Sequence, residues 1–476
     1  MSSSENSKSS PGTRFLLRAA KNVIIGFCVL LSLLLIVVLL QIAEMLQAAH
    51  LANNHSESVS LCREGGTFIT CRMSMLRRSF PAVKEKGALR VFIVGSSQAM
   101  GTPYVHQKLN HISRFLPNEG GLATWLKDYL VFAMPKRRIE IINAAQGGSQ
   151  MIDHLGTLRE ILTKGSPDII VVMGGNNERY SGLHFVDSAA ERDKRASVLY
   201  PAYQLTIQTM AQEVSAAGVK AIFVTLPSNL HDWLPKAPLD GGLLERLHKE
   251  ITEEPYLRKE HRPVSKDSCR DLRSQWPQFR ENPFAHFFLA RCLESEGQIP
   301  QALAEFVAAR DLDYQFLRVR SVQNESLRGL RGPGISILDL GTIMCGYAYN
   351  GIPGNDLFHD YCHMNLRGNK ISGFEIAREI LRLEGVPISD EKLRQAPLRK
   401  LNRRMLWWLY WLKTIKWSIQ RFLPSSWQQL AVRGKTITDS YRQAMQDINR
   451  LDEQISLLQS ENTLENGALF DGVSKT

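Results

Sequence analysis

The sequence predicts an α/β chain built on a parallel sheet with helices on both faces. Five short β-branched runs predict the strands: Val91 to Val94, Ile139 to Ile142, Ile169 to Met173, Ala221 to Leu226 and Ile335 to Leu338, each closed by Gly, Asn, Ser, Pro or Asp. Amphipathic stretches at 122–134, 151–164 and 200–217 fill the intervals between the first four. Strand alternating with helix joins the strands in parallel, and a parallel sheet needs cover on both faces. Ligands of such sheets sit beyond the carboxyl ends of the strands, so chemistry is expected in the residues that follow each run.

In chain order, the sheet is preceded by other elements. The 476 residues suffice for two or three units, and 44% hydrophobic with 22% charged residues is an ordinary globular balance. Residues 1–21 read as a polar tail. Residues 22–43 carry no charge and are long enough to cross a bilayer as one helix, the alternative being a cleavable signal peptide. Arg14, Arg18 and Lys21 precede this span and Glu44 follows it, which places the N-terminus in the cytoplasm and the body outside. Residues 44–88 read as a stalk and 89–388 as the sheet domain. Cys62 and Cys71, separated by REGGTFIT, are a candidate disulfide across a short turn, with free thiols as the alternative.

The fourth and fifth strands lie over a hundred residues apart, so an inserted element is expected at about 236–330. Within it Leu289, Ala290, Ala302, Phe306 and Ala309 fall at the offsets of a tetratricopeptide-like helix pair, and equally at those of an ordinary helical hairpin. Such an insertion is a place for a protein partner. The C-terminal region 389–476 reads as helical. Its segment 403–423 carries Trp407, Trp408, Trp411 and Trp417 beside Arg and Lys, fitting a helix in the headgroup layer or one packed on the body. The net charge of +11 gathers beside the apolar segments rather than in a nucleic-acid module, so a membrane surface is the expected partner and nucleic acid is not.

Four places supply groups for nucleophilic chemistry, which needs a nucleophile, a base, an orienting group and donors for a developing oxyanion. VFIVGSSQAMG ends a strand and puts Ser97 where a helix begins. IEIINAAQGGSQ runs a strand into Asn143 and then a Gly pair, which lets the backbone approach a ligand and present an N–H group. In IIVVMGGNNERY, Asn177 follows a buried-type strand and is placed to aim its side-chain amide into the same crevice, and DLFHDYCHMNLRGN sets Asp360 and His363 three apart. That last spacing lets a carboxylate orient an imidazole or cap a local turn. Each alone is also ordinary cap, turn or loop chemistry; the four together, in this order after strands, are more specific. No Cys/His spacing indicates a metal site.

Taken together the blocks resemble the SGNH branch of the GDSL hydrolases over about residues 89 to 384. GSSQAMG is similar to the Gly-Asp-Ser block, with Ser96 where Asp is usual and Ser97 at the nucleophile position. NAAQGG matches the Gly block at Gly148. GNNE matches G-x-N-[DE], which selects Asn177 over Asn176, and DYCH matches D-x-x-H. The resemblance implies a flavodoxin-like sheet, Asp360 as orienter, His363 as base, an oxyanion hole of Ser97, Gly148 and Asn177, and neither metal nor organic cofactor. Single-pass bacterial members with a tetratricopeptide-like insertion are similar in the stretches AMGTPY, TLPSNLHDW and EFVAARDLD. With the anchor, that implies a periplasmic body on the inner membrane; the resemblance does not give the substrate, and an acylated envelope glycan or lipid is expected because the anchor holds the body near both. The expected activity is ester hydrolysis. An O-acyltransferase using the same residues and a catalytically silent scaffold are the alternatives.

Overall fold

The computed structural model describes residues 59–399, except 73–74, 103, 106–119, 179–185, 240–241 and 253–263, and also Ser32 near the N-terminus. The expected tail, the rest of the span 22–43 and the Trp-rich segment 403–423 lie outside the described residues. Among the described residues, no helix is long and apolar enough to cross a membrane.

Among the described residues, eight strands run in chain order as β1 (Leu61–Glu64), β2 (Thr67–Thr70), β3 (Ser79–Pro81), β4 (Leu89–Gly95), β5 (Ile139–Asn143), β6 (Ile169–Met173), β7 (Lys220–Val224) and β8 (Ile335–Leu338). The last five form one sheet in the order β5-β4-β6-β7-β8, with every pairing parallel. The chain enters at β4, steps out to β5 and returns past β4 to β6, which is the flavodoxin-like order. Its direction reverses between β4 and β6, and a crevice opens there at the carboxyl ends.

Side-chain alternation explains the two covered faces. Leu89, Val91 and Ile93 of β4 pack with Ile169 and Val171 of β6 against the helices Leu122–Ala133 and Leu366–Leu383. Phe92 and Val94 turn the other way and meet Ile170, Val172 and Phe223 under the helices Met151–Glu160 and Ala189–Ala216. Every residue of β4 and β6 is buried. Each fully buried side chain of this size contributes roughly 1.5–3 kcal/mol, so the centre of the sheet is where the fold is anchored and where loops are held most firmly.

The segment expected to be a stalk carries structure of its own. β1, β2 and β3 form an antiparallel sheet, and Cys62 is disulfide-bonded to Cys71 beside the β1–β2 turn. Phe80 of β3 stands edge-on to Phe92 at 5.3 Å and joins the second core face. Buried Arg90 of β4 donates to Pro81 O at 2.9 Å and to Glu140 Oε2 at 2.7 Å, tying this small sheet to the large one. These strands have three or four residues each, too few for a periodic pattern to appear in the sequence.

Between β7 and β8 lies a helical insertion. Its helices Pro283–Ser295 and Ile299–Asp311 turn back on each other across Gly297, whose φ of 76° suits glycine. Phe287 and Ala290 pack against Ala302, Phe306 and Ala309. A second disulfide, Cys269 to Cys292, joins the helix Lys266–Ser274 to this hairpin.

Candidate active site

Three loops meet the crevice at the end of β4. Gly95 closes that strand so near β6 that a Cβ on it would lie 1.9 Å from Met173 O, so the approach admits only glycine. Ser96 N–H donates to Met173 O at 3.2 Å and Gln146 N–H donates to Gly95 O at 2.7 Å, drawing the ends of β6 and β5 alongside. Ser97 then opens the short helix Ser97–Met100, half-buried at the carboxyl edge of the sheet.

The fourth loop comes from far along the chain. It follows β8 and precedes the helix Leu366–Leu383, folding back through the bridge between Phe358 and Met364. Asp360 is buried there and uses its oxygens differently. Oδ1 accepts the N–H groups of Cys362 and His363 at 2.9 and 2.7 Å, while Oδ2 lies 2.6 Å from His363 Nδ1. The three-residue spacing therefore serves both purposes open to it in the sequence, turn cap and imidazole orienter. Nδ1–H donating to Asp360 leaves the Nε2 lone pair for the other side of the ring. There Ser97 Oγ lies 2.7 Å away and its hydroxyl donates to Nε2. Residues 266 positions apart are thus joined in one chain, Ser97 to His363 to Asp360.

Asn176 and Asn177 separate cleanly. Asn176 Nδ2 donates to Gln98 Oε1 at 2.9 Å and its Oδ1 accepts Val319 N–H at 2.9 Å, so both ends of its amide are engaged in structure. Asn177 is buried with its Nδ2 lacking a hydrogen-bond partner. A buried amide donor without a partner costs about 1–3 kcal/mol, a cost relieved by a ligand oxygen. Gly148 sits on the exposed loop after β5 at φ 74°, with nothing within 4 Å of the place a Cβ would take. Ser96, where the resemblance would have Asp, is buried and its hydroxyl has no hydrogen-bond partner.

Further residues brace these loops. Glu178 follows Asn177 and accepts Met151 N–H at 2.8 Å, tying the loop after β6 to the helix that follows the Gly148 loop. Burial pushes its carboxyl up to about 7, against the pull of that hydrogen bond. His154 lies under Gly174 with both ring nitrogens buried and without partners, and burial pushes it down to about 4, so it is neutral. Tyr104 lies 2.5 Å through its hydroxyl from His359 Nε2, linking the segment after Ser97 to the residue before Asp360. Gln98, Tyr104 and His359 carry no signal of these contacts in the sequence. The acidic position in GNNE was the one signal present, for Glu178. Among the described residues, Asp360, Cys362 and His363 are the group that offers metal-type ligand atoms within 4.8 Å of one another, and its carboxylate and imidazole already bond each other.

No family profile matches the chain, and no curated protein matches its sequence. Solved structures do show likeness. A lipase/acylhydrolase from Enterococcus faecalis is 16% identical, covering 61% of this chain and 95% of its own, with a TM-score of 0.28. The acetyl xylan esterase AlAXEase is 12% identical, with 61% of this chain and all 100% of its own covered, at 0.31. A GDSL-like lipase from Bacteroides thetaiotaomicron is 13% identical over 64% of this chain and 93% of its own, at 0.27. Scores this low say nothing about activity, which is read from the site itself.

Proposed function

We propose that this chain is a serine esterase of the SGNH type, held at a membrane by residues 22–43 with its body in an oxidising, extracytoplasmic compartment. The observation that carries the reading is the hydrogen-bonded chain from Ser97 Oγ through His363 to Asp360, at 2.7 and 2.6 Å. In this mechanism Ser97 attacks an acyl carbonyl while His363 Nε2 takes its proton. Asp360 holds the ring in the tautomer that can accept and stabilises the imidazolium that forms. The oxyanion is held by the N–H groups of Ser97 and Gly148 and by the Asn177 amide. His363 then returns its proton to the leaving alcohol, and water, activated by the same imidazole, releases the acyl group.

The substrate is an ester of an envelope glycan or lipid, which a membrane anchor would keep within reach. Two disulfides fit an oxidising compartment, since reducing cytosol keeps thiols free. The test is hydrolysis of a short-chain chromogenic ester by the full-length protein. Ser97→Ala is expected to lower kcat by about a millionfold or to background, with binding retained. Equal turnover by wild type and Ser97→Ala removes the nucleophile from the account. Adding a glycan acceptor and looking for acylated sugar separates hydrolysis from transfer.

A further inference from the structure

The helical insertion reaches the site through one loop. His231 stands after β7, and its Nδ1 lies 2.8 Å from Asp232 Oδ1. Its Nε2 lies 3.0 Å from both carboxylate oxygens of Glu294, in the first helix of the hairpin. Its ring also stands 5.6 Å from that of Phe306, in the second. Hairpin and loop share a small apolar core in which Leu230 and Ile352 meet Phe287, Ala290 and Phe306.

The same loop suspends the segment that carries Asp360 and His363. Leu230 and His231 N–H groups both donate to Pro353 O, at 2.8 and 3.1 Å, and Asn229 N–H donates to Tyr361 O at 3.1 Å. Asp232 Oδ2 accepts Asn355 N–H at 2.6 Å, and Asn229 Nδ2 donates to Asn355 Oδ1 at 3.1 Å. Asn365 Nδ2 closes the segment on itself by donating to Asn355 O and Asp356 O at 3.1 and 2.9 Å. Every one of these bonds converges on a stretch whose displacement would move His363 relative to Ser97.

We propose that His231, gripped between Asp232 and Glu294, is a positioning residue through which the helical hairpin fixes the 353–365 segment and holds His363 against Ser97. The inference rests on the reading of Ser97 and His363 given above. It assigns the insertion a task within the chain. Charge supports it: burial alone would lower the imidazole, but the hydrogen bonds to Asp232 and Glu294 hold it up to about 9, which favours the protonated ring at neutral pH. Arg291 also faces the ring, with Nη1 2.6 Å from Nε2 and 3.3 Å from Glu294. A guanidinium can donate to Nε2 only when the ring is neutral. The two carboxylates favour the protonated ring, in which Nε2–H belongs to Glu294 and Arg291 serves Glu294 as well. In either state the ring's partner lies on the helix Pro283–Ser295.

The experiment compares backbone hydrogen exchange and ester turnover in full-length wild type, His231→Ala, His231→Arg and the isosteric Glu294→Gln. Faster exchange confined to peptides covering 353–365 is expected in His231→Ala and Glu294→Gln. In both, kcat should fall by about tenfold to a hundredfold with a much smaller change in KM, because a small displacement of a catalytic group is felt in the chemical step. His231→Arg, which keeps a cation with several donors, should recover part of both. Exchange in 353–365 equal to wild type, or raised evenly over the whole molecule, overturns the inference. Should no ester be turned over, the hydrolase reading fails while the exchange result still decides this one. Ser97-dependent turnover with unchanged exchange defeats this one alone.

Discussion

At the scale of single residues, Asp360 shows why a short motif can carry so much. One oxygen closes a turn that aims His363, and the other holds the imidazole by Nδ1. Geometry and tautomer are set together, and that much was legible in D-x-x-H. The choice of Asn177 over Asn176 was legible only through the likeness of GNNE to G-x-N-[DE], because both residues follow a buried strand and both carry the same amide. Packing separates them, since Gln98 and Val319 occupy Asn176 at both ends. Two outcomes follow. Asn177→Ala should lower kcat by about a hundredfold to a thousandfold with little change in folding, as loss of one oxyanion donor does. Asn176→Ala should instead lower stability by roughly 1–3 kcal/mol, because it leaves Gln98 and Val319 with buried groups unpaired. Steady-state kinetics and denaturant unfolding of both variants check the pair.

At the scale of elements, strands buried on both faces were the easiest to read. β4 and β6 are continuous apolar runs bounded by turn residues, and the structure lengthens β4 only to Leu89–Gly95. The small sheet of β1, β2 and β3 was hidden because its strands are short and its core residues, such as Phe80, face another element. The disulfide between Cys269 and Cys292 was hidden for a different reason: connectivity cannot be deduced from spacing alone. Reducing it is expected to cost roughly 3 kcal/mol, the usual value for a loop of this size, measured by unfolding Cys292→Ser beside wild type.

The link between hairpin and loop also has a pH signature. His231 is raised above its ordinary value of 6.5 to about 9, so the folded form binds its proton more tightly than the unfolded chain. Its contribution is fully present below about 6.5 and is lost as pH rises through about 9. The thermal midpoint of wild type should therefore decline across that window more steeply than that of His231→Ala. Parallel slopes in calorimetry would remove His231 as the source.

At the scale of the whole molecule, the order of strands makes the site. β4, β5 and β6 are neighbours whose carboxyl ends lead into the segments carrying Ser97, Gly148 and Asn177, and the loop bearing Asp360 and His363 meets Ser97. Their order along the chain was legible as a resemblance. The hydrogen bond between Ser97 and His363 was not, because a contact across 266 positions depends on how two loops pack. The proposed residence at a membrane surface rests on the surplus of 58 Lys and Arg over 47 Asp and Glu and on the uncharged stretch 22–43. The full-length protein is accordingly expected to stay with membranes after carbonate extraction, and release into the soluble fraction would contradict the anchor.

In the proposed mechanism Ser97 is a hydroxyl made nucleophilic by His363. Labelling the full-length protein with a fluorophosphonate, which reacts only with an activated serine, and mapping the modified peptide tests it most directly. The account predicts modification at Ser97 that is lost in His363→Ala while that variant stays folded. Modification at Ser97 that persists without His363, or a label elsewhere in the chain, would contradict it.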